Sequence, residues 1–188
     1  MSRTIMKSSL IMSLRATKGD NGNIMFVCVE SCMLEELESL AREIWQEHFT
    51  PIIGVEQVEY MLLKFQSQKA FYDQLCAGYR YFFIMRGEEK IGYFGIDTDG
   101  GRMFLSKLYI KKENRGLGFA AKTFEFLEEM CEKEGLGTIW LTVNRENTGA
   151  IEVYLKKGFK HIDAQKKDIG GGFFMDDHIM EKSLTDKN

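Results

Sequence analysis

The spacing of apolar residues changes at Gly78 from a helical to a strand period, and this change constrains the fold more than any other feature. Between residues 31 and 77, apolar residues recur every three or four positions, which is typical of amphipathic helices. After Gly78 come runs rich in β-branched and aromatic residues, separated by turns, and then two more helical stretches. This order favours a fold in which helices and a sheet pack together.

Local signals give the individual elements. Ser31 is predicted to cap a first helix, which stops near Thr50 and Pro51 because proline disfavours helical geometry in the residue before it. The other predicted helices cover residues 55–65, 70–76, 120–134 and 147–157. The predicted strands cover residues 24–30, 79–85, 90–96, 102–110, 138–143 and a pair from residue 159 onward around the glycines at 170–172. The expected fold is α+β (mixed α/β), a central, mostly antiparallel twisted sheet with helices on both faces.

Length and composition indicate one soluble domain. The 188 residues suffice for a single core, and 44% hydrophobic with 28% charged residues is the balance of a globular protein. Residues 1–23 end in a turn-rich run and are predicted to be a flexible extension, with residues 24–188 as the domain. The net charge of −3 argues against duplex nucleic acid as a partner.

The sequence also argues against a membrane or metal protein. No apolar run approaches the length of about 20 residues that spans a bilayer, and no secretory signal is recognisable. The four cysteines form no Cys-x-x-Cys pair, and the three histidines are isolated in sequence. We therefore expect no membrane partner, no metal site and a cytoplasmic location.

Residues 105–122 are the segment most informative about function. There a predicted strand leads into a short loop that carries Arg115, Gly116 and Gly118, and a helix begins at this loop. The N–H groups at a helix start have no intrahelical partners, and the helix dipole favours an anion there. The glycines allow a phosphate to approach the main chain closely. The segment is thus suited to hold a pyrophosphate, although a strand-to-helix turn that binds nothing would have the same residues.

Two blocks of residues together resemble the GNAT (GCN5-related) N-acetyltransferase family. Arg115, Gly118 and Ala120 match its Arg/Gln-x-x-Gly-x-Gly/Ala signature. The second block runs from residue 147 to 159 and matches the pattern Asn-x-x-Ala-x-x-x-Tyr-x-x-x-Gly-Phe. The resemblance covers roughly residues 24–184 and implies acetyl transfer from acetyl-CoA to an amine by direct attack, without a metal. It also implies a homodimer, by analogy only.

The resemblance carries cofactor contacts over to matching positions. Main-chain groups of Leu108, Tyr109 and Ile110 would pair with the pantetheine arm like an added strand. Asn147 would contact the same arm. The phosphates would be held around the helix start, by Arg115, Gly116, Leu117, Gly118, Phe119, Ala120 and Lys122.

Tyr154 is the catalytic residue that the resemblance implies. Amine attack on a thioester expels a thiolate, and a nearby phenol can supply its proton. A packed aromatic on an amphipathic helix is the alternative role for Tyr154. The general base stays unassigned, because relatives that carry a glutamate on the strand before the phosphate loop have Ser106 at that position here. The remaining candidates are Glu47, His48, Asp176 and Asp177.

The acceptor is less constrained than the cofactor. Aromatic residues between 45 and 60 and the paired Asp176 and Asp177 would suit a polyamine or another small cationic amine. The sequence of residues 168–177, in the final predicted hairpin, resembles that of small bacterial acetyltransferases close to the spermidine acetyltransferase branch. Three hypotheses stay open: an enzyme acting on a small or protein amine, a non-catalytic acyl-CoA-binding module, and an interaction domain that docks a protein through residues 31–77.

Overall fold

The computed structural model of the protein describes residues 11–12 and 24–185, which form an eight-stranded sheet. The strands are β1 (Ile11–Met12), β2 (Ile24–Cys28), β3 (Arg80–Arg86), β4 (Glu89–Asp99), β5 (Arg102–Ile110), β6 (Thr138–Asn144), β7 (Lys160–Gly170) and β8 (Phe173–Ser183). Their order is β1-β2-β3-β4-β5-β6-β8-β7. Neighbours are antiparallel except β5 and β6, which run parallel. The predicted mixed, mostly antiparallel fold is confirmed.

Within residues 24–185, five α-helices cover the two faces of this sheet. They are α1 (Leu34–Ile53), α2 (Val55–Phe65), α3 (Gln68–Cys76), α4 (Phe119–Glu134) and α5 (Thr148–Lys156). The side chains of β3 alternate between the faces, as a strand period of two requires. Phe82 and Ile84 pack in the cluster that includes α4, while Tyr81 and Phe83 pack in the cluster that includes α1 and α3. The hydrophobic core therefore has two apolar layers, one on each side of the sheet.

Two details of the first helix differ from the prediction. The helix continues through Pro51 and ends at Gly54, whose N–H donates to the carbonyl of Thr50 at 3.0 Å. The expected stop was wrong because Phe49 is buried and Ile52 packs on the same apolar cluster, so burial outweighs the local preference at proline. Ser31 does not cap this helix, since it begins a short 3-10 turn and Met33 takes the N-cap position.

The chain ends are covered only in part. The predicted flexible extension, residues 1–23, lies outside the described residues except for Ile11 and Met12, which pair with Val27 and Phe26.

No helix in the described ranges combines the length and apolar character needed to cross a bilayer.

The sheet opens between β5 and β6. Their parallel pairing runs from Arg102 opposite Thr138 to Leu105 opposite Leu141 and then stops. A β-bulge lies at the same place, because Leu105 pairs with Ile96 while Lys107 pairs with the preceding residue, Gly95. The extra residue on β5 bends that strand, as bulges do. The second half of β5 therefore separates from β6 and leaves a gap in the sheet.

Candidate active site

A cavity of about 830 Å³ occupies the gap between β5 and β6. On one side of the sheet its wall includes Trp45 and Phe49 of α1, and on the other Phe119 of α4 and Tyr154 of α5. Leu108 of β5 lies on the wall between them. One continuous space thus passes through the sheet, with room for two reactants to meet from opposite faces.

The start of α4 forms a cradle of main-chain donors on the cavity wall. Gly116 and Gly118 have φ angles of +75° and +86°, and a Cβ added at either glycine would meet no atom within 4 Å. No side chain caps the helix, and its first turn holds no acidic residue. The first N–H groups of a helix lack intrahelical acceptors, and a glycine in the left-handed region exposes them at little steric cost. These residues fit a pyrophosphate group.

The side chain of Arg115 anchors this loop to the rest of the fold. Its Nε donates to the carbonyl oxygen of Ile110 at 2.8 Å, and one terminal nitrogen lies 2.7 Å from a carboxylate oxygen of Glu47. The other terminal nitrogen lies 3.3 Å from Nδ1 of His48. Burial and the neighbouring guanidinium lower the pKa of His48, so its neutral ring accepts from Arg115. Three of the five guanidinium donors are thereby turned toward α1 and β5.

Main-chain groups of β5 line the gap at alternate residues. The N–H of Lys111 donates to Ile91 on the β4 side at 2.8 Å, whereas the carbonyl of Ile110 accepts from Arg115. Because main-chain polar groups alternate along a strand, those of Leu108 and Ile110 point into the gap and those of Tyr109 point toward β4. Of the three positions that the sequence singled out, Leu108 and Ile110 are therefore better placed to pair with an extended ligand.

Tyr154 and Asn147 both lie on the cavity wall, as the sequence block requires. The Asn147 side chain accepts from the N–H of Ala150 at 3.3 Å and so caps α5. The Tyr154 ring packs edge-on against Phe124, with centroids 6.0 Å apart, and against Phe159. Burial raises the pKa of Tyr154 to about 12, so the phenol keeps its proton at neutral pH.

Most of the predicted cofactor residues converge on this cavity, and two do not. The wall includes Leu108, Tyr109, Ile110, Arg115, Gly116, Gly118, Phe119, Ala120 and Asn147. Leu117 and Lys122 are not part of that wall. Lys122 points its ammonium group at Glu125, 3.2 Å away on the helix surface.

The four candidate bases lie in different environments. Glu47 is held by Arg115, and Asp176 is held by Arg145 at 2.9 Å on the protein surface. His48 accepts from Arg115 and already uses one ring nitrogen. Asp177 differs from these three because it is only 6% exposed, and it lies on the cavity wall, as His48 also does.

Asp177 brings a buried carboxyl group to the open end of β6. It lies on β8, in register with Asn144 on one side and Gln165 on the other. Burial, with the adjacent Asp176 as a second cause, raises the pKa of Asp177 to about 6, against the opposing effect of a Gln165 hydrogen bond. The group is thus a poorly solvated anion at neutral pH, which a ligand cation would stabilise.

Sequence reasoning missed Lys107, which also lines the cavity. A lysine in a strand next to a charged loop ordinarily faces water, and only the bulge in β5 explains its inward position. Its Nζ lies 2.8 Å from the hydroxyl of Tyr81 and 3.0 Å from the Gln74 side-chain oxygen. Across residues 11–12 and 24–185, no group of three or more His, Cys, Asp or Glu side chains is arranged to hold a metal ion.

Comparison with known proteins agrees with this geometry. The family model described as an acetyltransferase (GNAT) domain matches residues 49–175. A probable N-acetyltransferase, san, of Drosophila melanogaster is 32% identical over 84 residues, which are 44% of this chain and 46% of that protein. The chain thus spans about half the length of that relative. A spermidine N(1)-acetyltransferase of Thermoplasma acidophilum is 23% identical over 153 residues, covering 77% of this chain and 95% of that one.

Solved structures share the fold. PaiA N-acetyltransferase of Thermoplasma acidophilum, crystallised in complex with coenzyme A, superposes with a TM-score of 0.72 at 23% identity, over 86% of this chain and 99% of that one. A GCN5-related N-acetyltransferase of Rhodopseudomonas palustris superposes with a TM-score of 0.71 at 15% identity, over 85% and 94% of the two chains.

Proposed function

The chain belongs to the GNAT acetyltransferase family, whose members take the acetyl group from acetyl-CoA, and on that premise we propose that it acetylates a small cationic primary amine. The amine attacks the thioester directly while both reactants are bound. The observation that carries this proposal is the single cavity through the sheet gap, lined by the donor cradle of α4, by Tyr154 and by Asp177.

Different residues of the chain serve cofactor binding and proton donation in the proposed reaction. Acetyl-CoA supplies an activated acyl carbon, and the N–H groups at the start of α4 suit its pyrophosphate. The amine nitrogen forms a bond to the acyl carbon as the carbon–sulfur bond breaks, and the electron pair leaves with sulfur. The Tyr154 phenol can donate to that sulfur because no described side chain forms a hydrogen bond to its hydroxyl.

Charge and shape on the acceptor side support a cationic amine. Trp45 and Phe49 contribute aromatic rings to the wall, with centroids 4.4 Å apart, and Tyr109 packs against both. Asp177 adds the buried carboxyl group. Aromatic faces and a carboxylate are the groups that attract ammonium ions. The similarity to the Thermoplasma spermidine N(1)-acetyltransferase supports a polyamine as the first acceptor to test.

A thiol-release assay with a panel of amines tests this proposal. The panel contains spermidine, butylamine, a lysine peptide, a peptide with a free N-terminus, an aminoglycoside and an amino acid. We expect acetyl-CoA cleavage with spermidine that depends on the amine concentration. Transfer to a peptide alone would favour a protein acetyltransferase. Calorimetric binding of coenzyme A without transfer to any amine would instead indicate an acyl-CoA-binding module.

Asp177→Asn is expected to raise the KM for spermidine about tenfold with little change in kcat, because it removes a charge proposed to bind the acceptor equally in the ground and transition states. Asp176→Asn is the matched control, since that neighbouring carboxylate already pairs with Arg145 at the surface. Equal KM values in both variants would contradict the proposed role.

The same variant has a stability signature. In the folded protein Asp177 holds its proton up to about pH 6, above the ordinary carboxyl value of 3.8. The folded state therefore binds more protons than the unfolded state between these values, and stability falls as pH rises through that window. Asp177→Asn should flatten this slope and be more stable at pH 7 by about 3 kcal/mol, measured by urea unfolding.

Two further expectations belong to the proposal. Cys28, Cys32, Cys76 and Cys131 are free thiols, which supports a reducing compartment such as the cytoplasm. Homodimer formation stays a prediction by analogy and is measurable by light scattering.

A further inference from the structure

The Lys107 side chain is a buried ionisable group on the cavity wall that the proposed mechanism leaves unused. It is 8% exposed and lines the cavity wall between Ser106 and Leu108. No carboxylate among the described residues forms an ion pair with it. Its titratable neighbour on β3 is Tyr81, and α3 contributes the neutral side chains of Gln74 and Phe71. An ammonium ion buried without a counter-ion is costly, so this position favours a neutral amine.

Three polar atoms surround Nζ, those of Gln74, Tyr81 and Ser106, and in a neutral amine one of them faces the lone pair. The Tyr81 hydroxyl donates to the side-chain oxygen of Gln74, so both oxygens can accept from Lys107. A neutral amine has two N–H donors and one lone pair, and these two acceptors use both donors. The remaining nearby polar atom is the Ser106 hydroxyl, 3.5 Å away, which also lines the cavity. The lone pair is therefore left on the side of Ser106 and the cavity.

We propose that the neutral amine of Lys107 is the general base that takes the proton from the acceptor ammonium, directly or through a water at Ser106. This role rests on the proposed function. The acceptor R–NH3⁺ gives a proton to Nζ, and the freed lone pair then forms the carbon–nitrogen bond. The nitrogen loses its second proton as the thiolate gains one through Tyr154. Lys107 finally returns its proton to solvent through the cavity.

The titration of Lys107 agrees with this geometry. Burial alone lowers the pKa of Lys107 to about 7, whereas a free lysine titrates near 10.4. The group is accordingly poised near neutral pH, where a general base is most effective. Asp177, with its pKa near 6, is the competing candidate for the base. If Lys107 is the base, Lys107→Met removes the pH midpoint from the rate profile, whereas if Asp177 is the base, Asp177→Asn removes it.

Lys107→Met tests the assignment through the pH dependence of kcat/KM for spermidine between pH 5.5 and 9.5. The wild-type rate should rise with pH through a midpoint near 7. Lys107→Met should be about 100-fold slower at pH 8 and lose that midpoint, while Asp177→Asn keeps it. Lys90→Met is the control, because Lys90 pairs with Glu36 away from the cavity. Coenzyme A affinity by calorimetry should stay within twofold in Lys107→Met.

A second readout needs no acceptor and no activity. An NMR titration of ¹⁵N-lysine-labelled wild-type protein, with Lys107→Met identifying the signal, should show one side chain titrating near pH 7. A Lys107 signal that titrates above pH 9 overturns the proposal, as does an unchanged pH profile in active Lys107→Met. Failure of the proposed function is distinct, because it removes acetyl transfer from the wild type and leaves this titration intact.

The stability profile checks that the variant is folded. Between pH 7 and about 10.4 the unfolded chain holds a proton on Lys107 that the folded chain lacks, so wild-type stability should rise with pH through this window. The free energy of unfolding of Lys107→Met should not rise with pH in this window. The variant should also be no less stable than wild type at pH 7, because it removes an amine that is costly to bury.

Discussion

Replacing Tyr154 with phenylalanine should lower kcat for amine acetylation by roughly 100-fold while leaving coenzyme A affinity within twofold. The ring packs on Phe124 and Phe159, and these contacts survive the loss of one oxygen. The hydroxyl alone is lost, and with it the donor for the leaving sulfur. Stopped-flow thiol release and calorimetric titration with coenzyme A measure the two quantities. Tyr72→Phe is the control, since Tyr72 is 53% exposed on α3 and is not part of the cavity wall.

The pH dependence separates this role from that of Lys107. With a pKa of about 12, the Tyr154 phenol is protonated throughout the range from pH 6 to 9. Tyr154→Phe should therefore lower the rate by a similar factor at every pH and keep the midpoint near 7. A kcat within twofold of wild type would show that the leaving thiolate needs no donor from Tyr154. The residue would then be one more aromatic side chain of the core.

The elements that the sequence predicted well are those set by local rules. Gly116 and Gly118 next to a helix start, and Asn147 three residues before Ala150, specify backbone conformation and capping within a few positions. Such short-range signals are readable without knowledge of the fold. Residues from both blocks, among them Gly116, Gly118 and Tyr154, lie on the wall of one cavity in the structure, while their roles stay predictions.

Long-range packing accounts for what the sequence did not reveal. The helix passes through Pro51 because its apolar side continues onto a cluster that includes Ile169, over 100 residues later. Lys107 turns inward because of a bulge defined by its pairing with β4. Arg115 was expected among the residues that hold the phosphates, yet its side chain bonds Glu47 and Ile110. Each outcome depends on a partner that is distant in sequence or on a strand register, and neither is visible in a local pattern.

Gly118→Ala is expected to weaken coenzyme A binding at least tenfold, which corresponds to about 1.4 kcal/mol. Gly118 has a φ of +86° at the N-cap of α4, and the space beside it is open for a ligand. An added methyl group would occupy the cradle, and the left-handed conformation costs an alanine roughly 1–2 kcal/mol. Relief of that strain would also turn the first N–H groups of the helix away from the cavity. Isothermal titration calorimetry measures the affinity.

Gly135→Ala separates loss of the cradle from loss of stability. Gly135 lies at the opposite end of α4, is also left-handed, with a φ of +68°, and likewise has open space where a Cβ would be. It is not part of the cavity wall. Both variants should therefore lose a similar 1–2 kcal/mol of unfolding free energy, while only Gly118→Ala loses coenzyme A affinity. Equal affinities in the two variants would mean that the start of α4 does not hold the phosphates, and the pyrophosphate would then have to be bound elsewhere on the cavity wall.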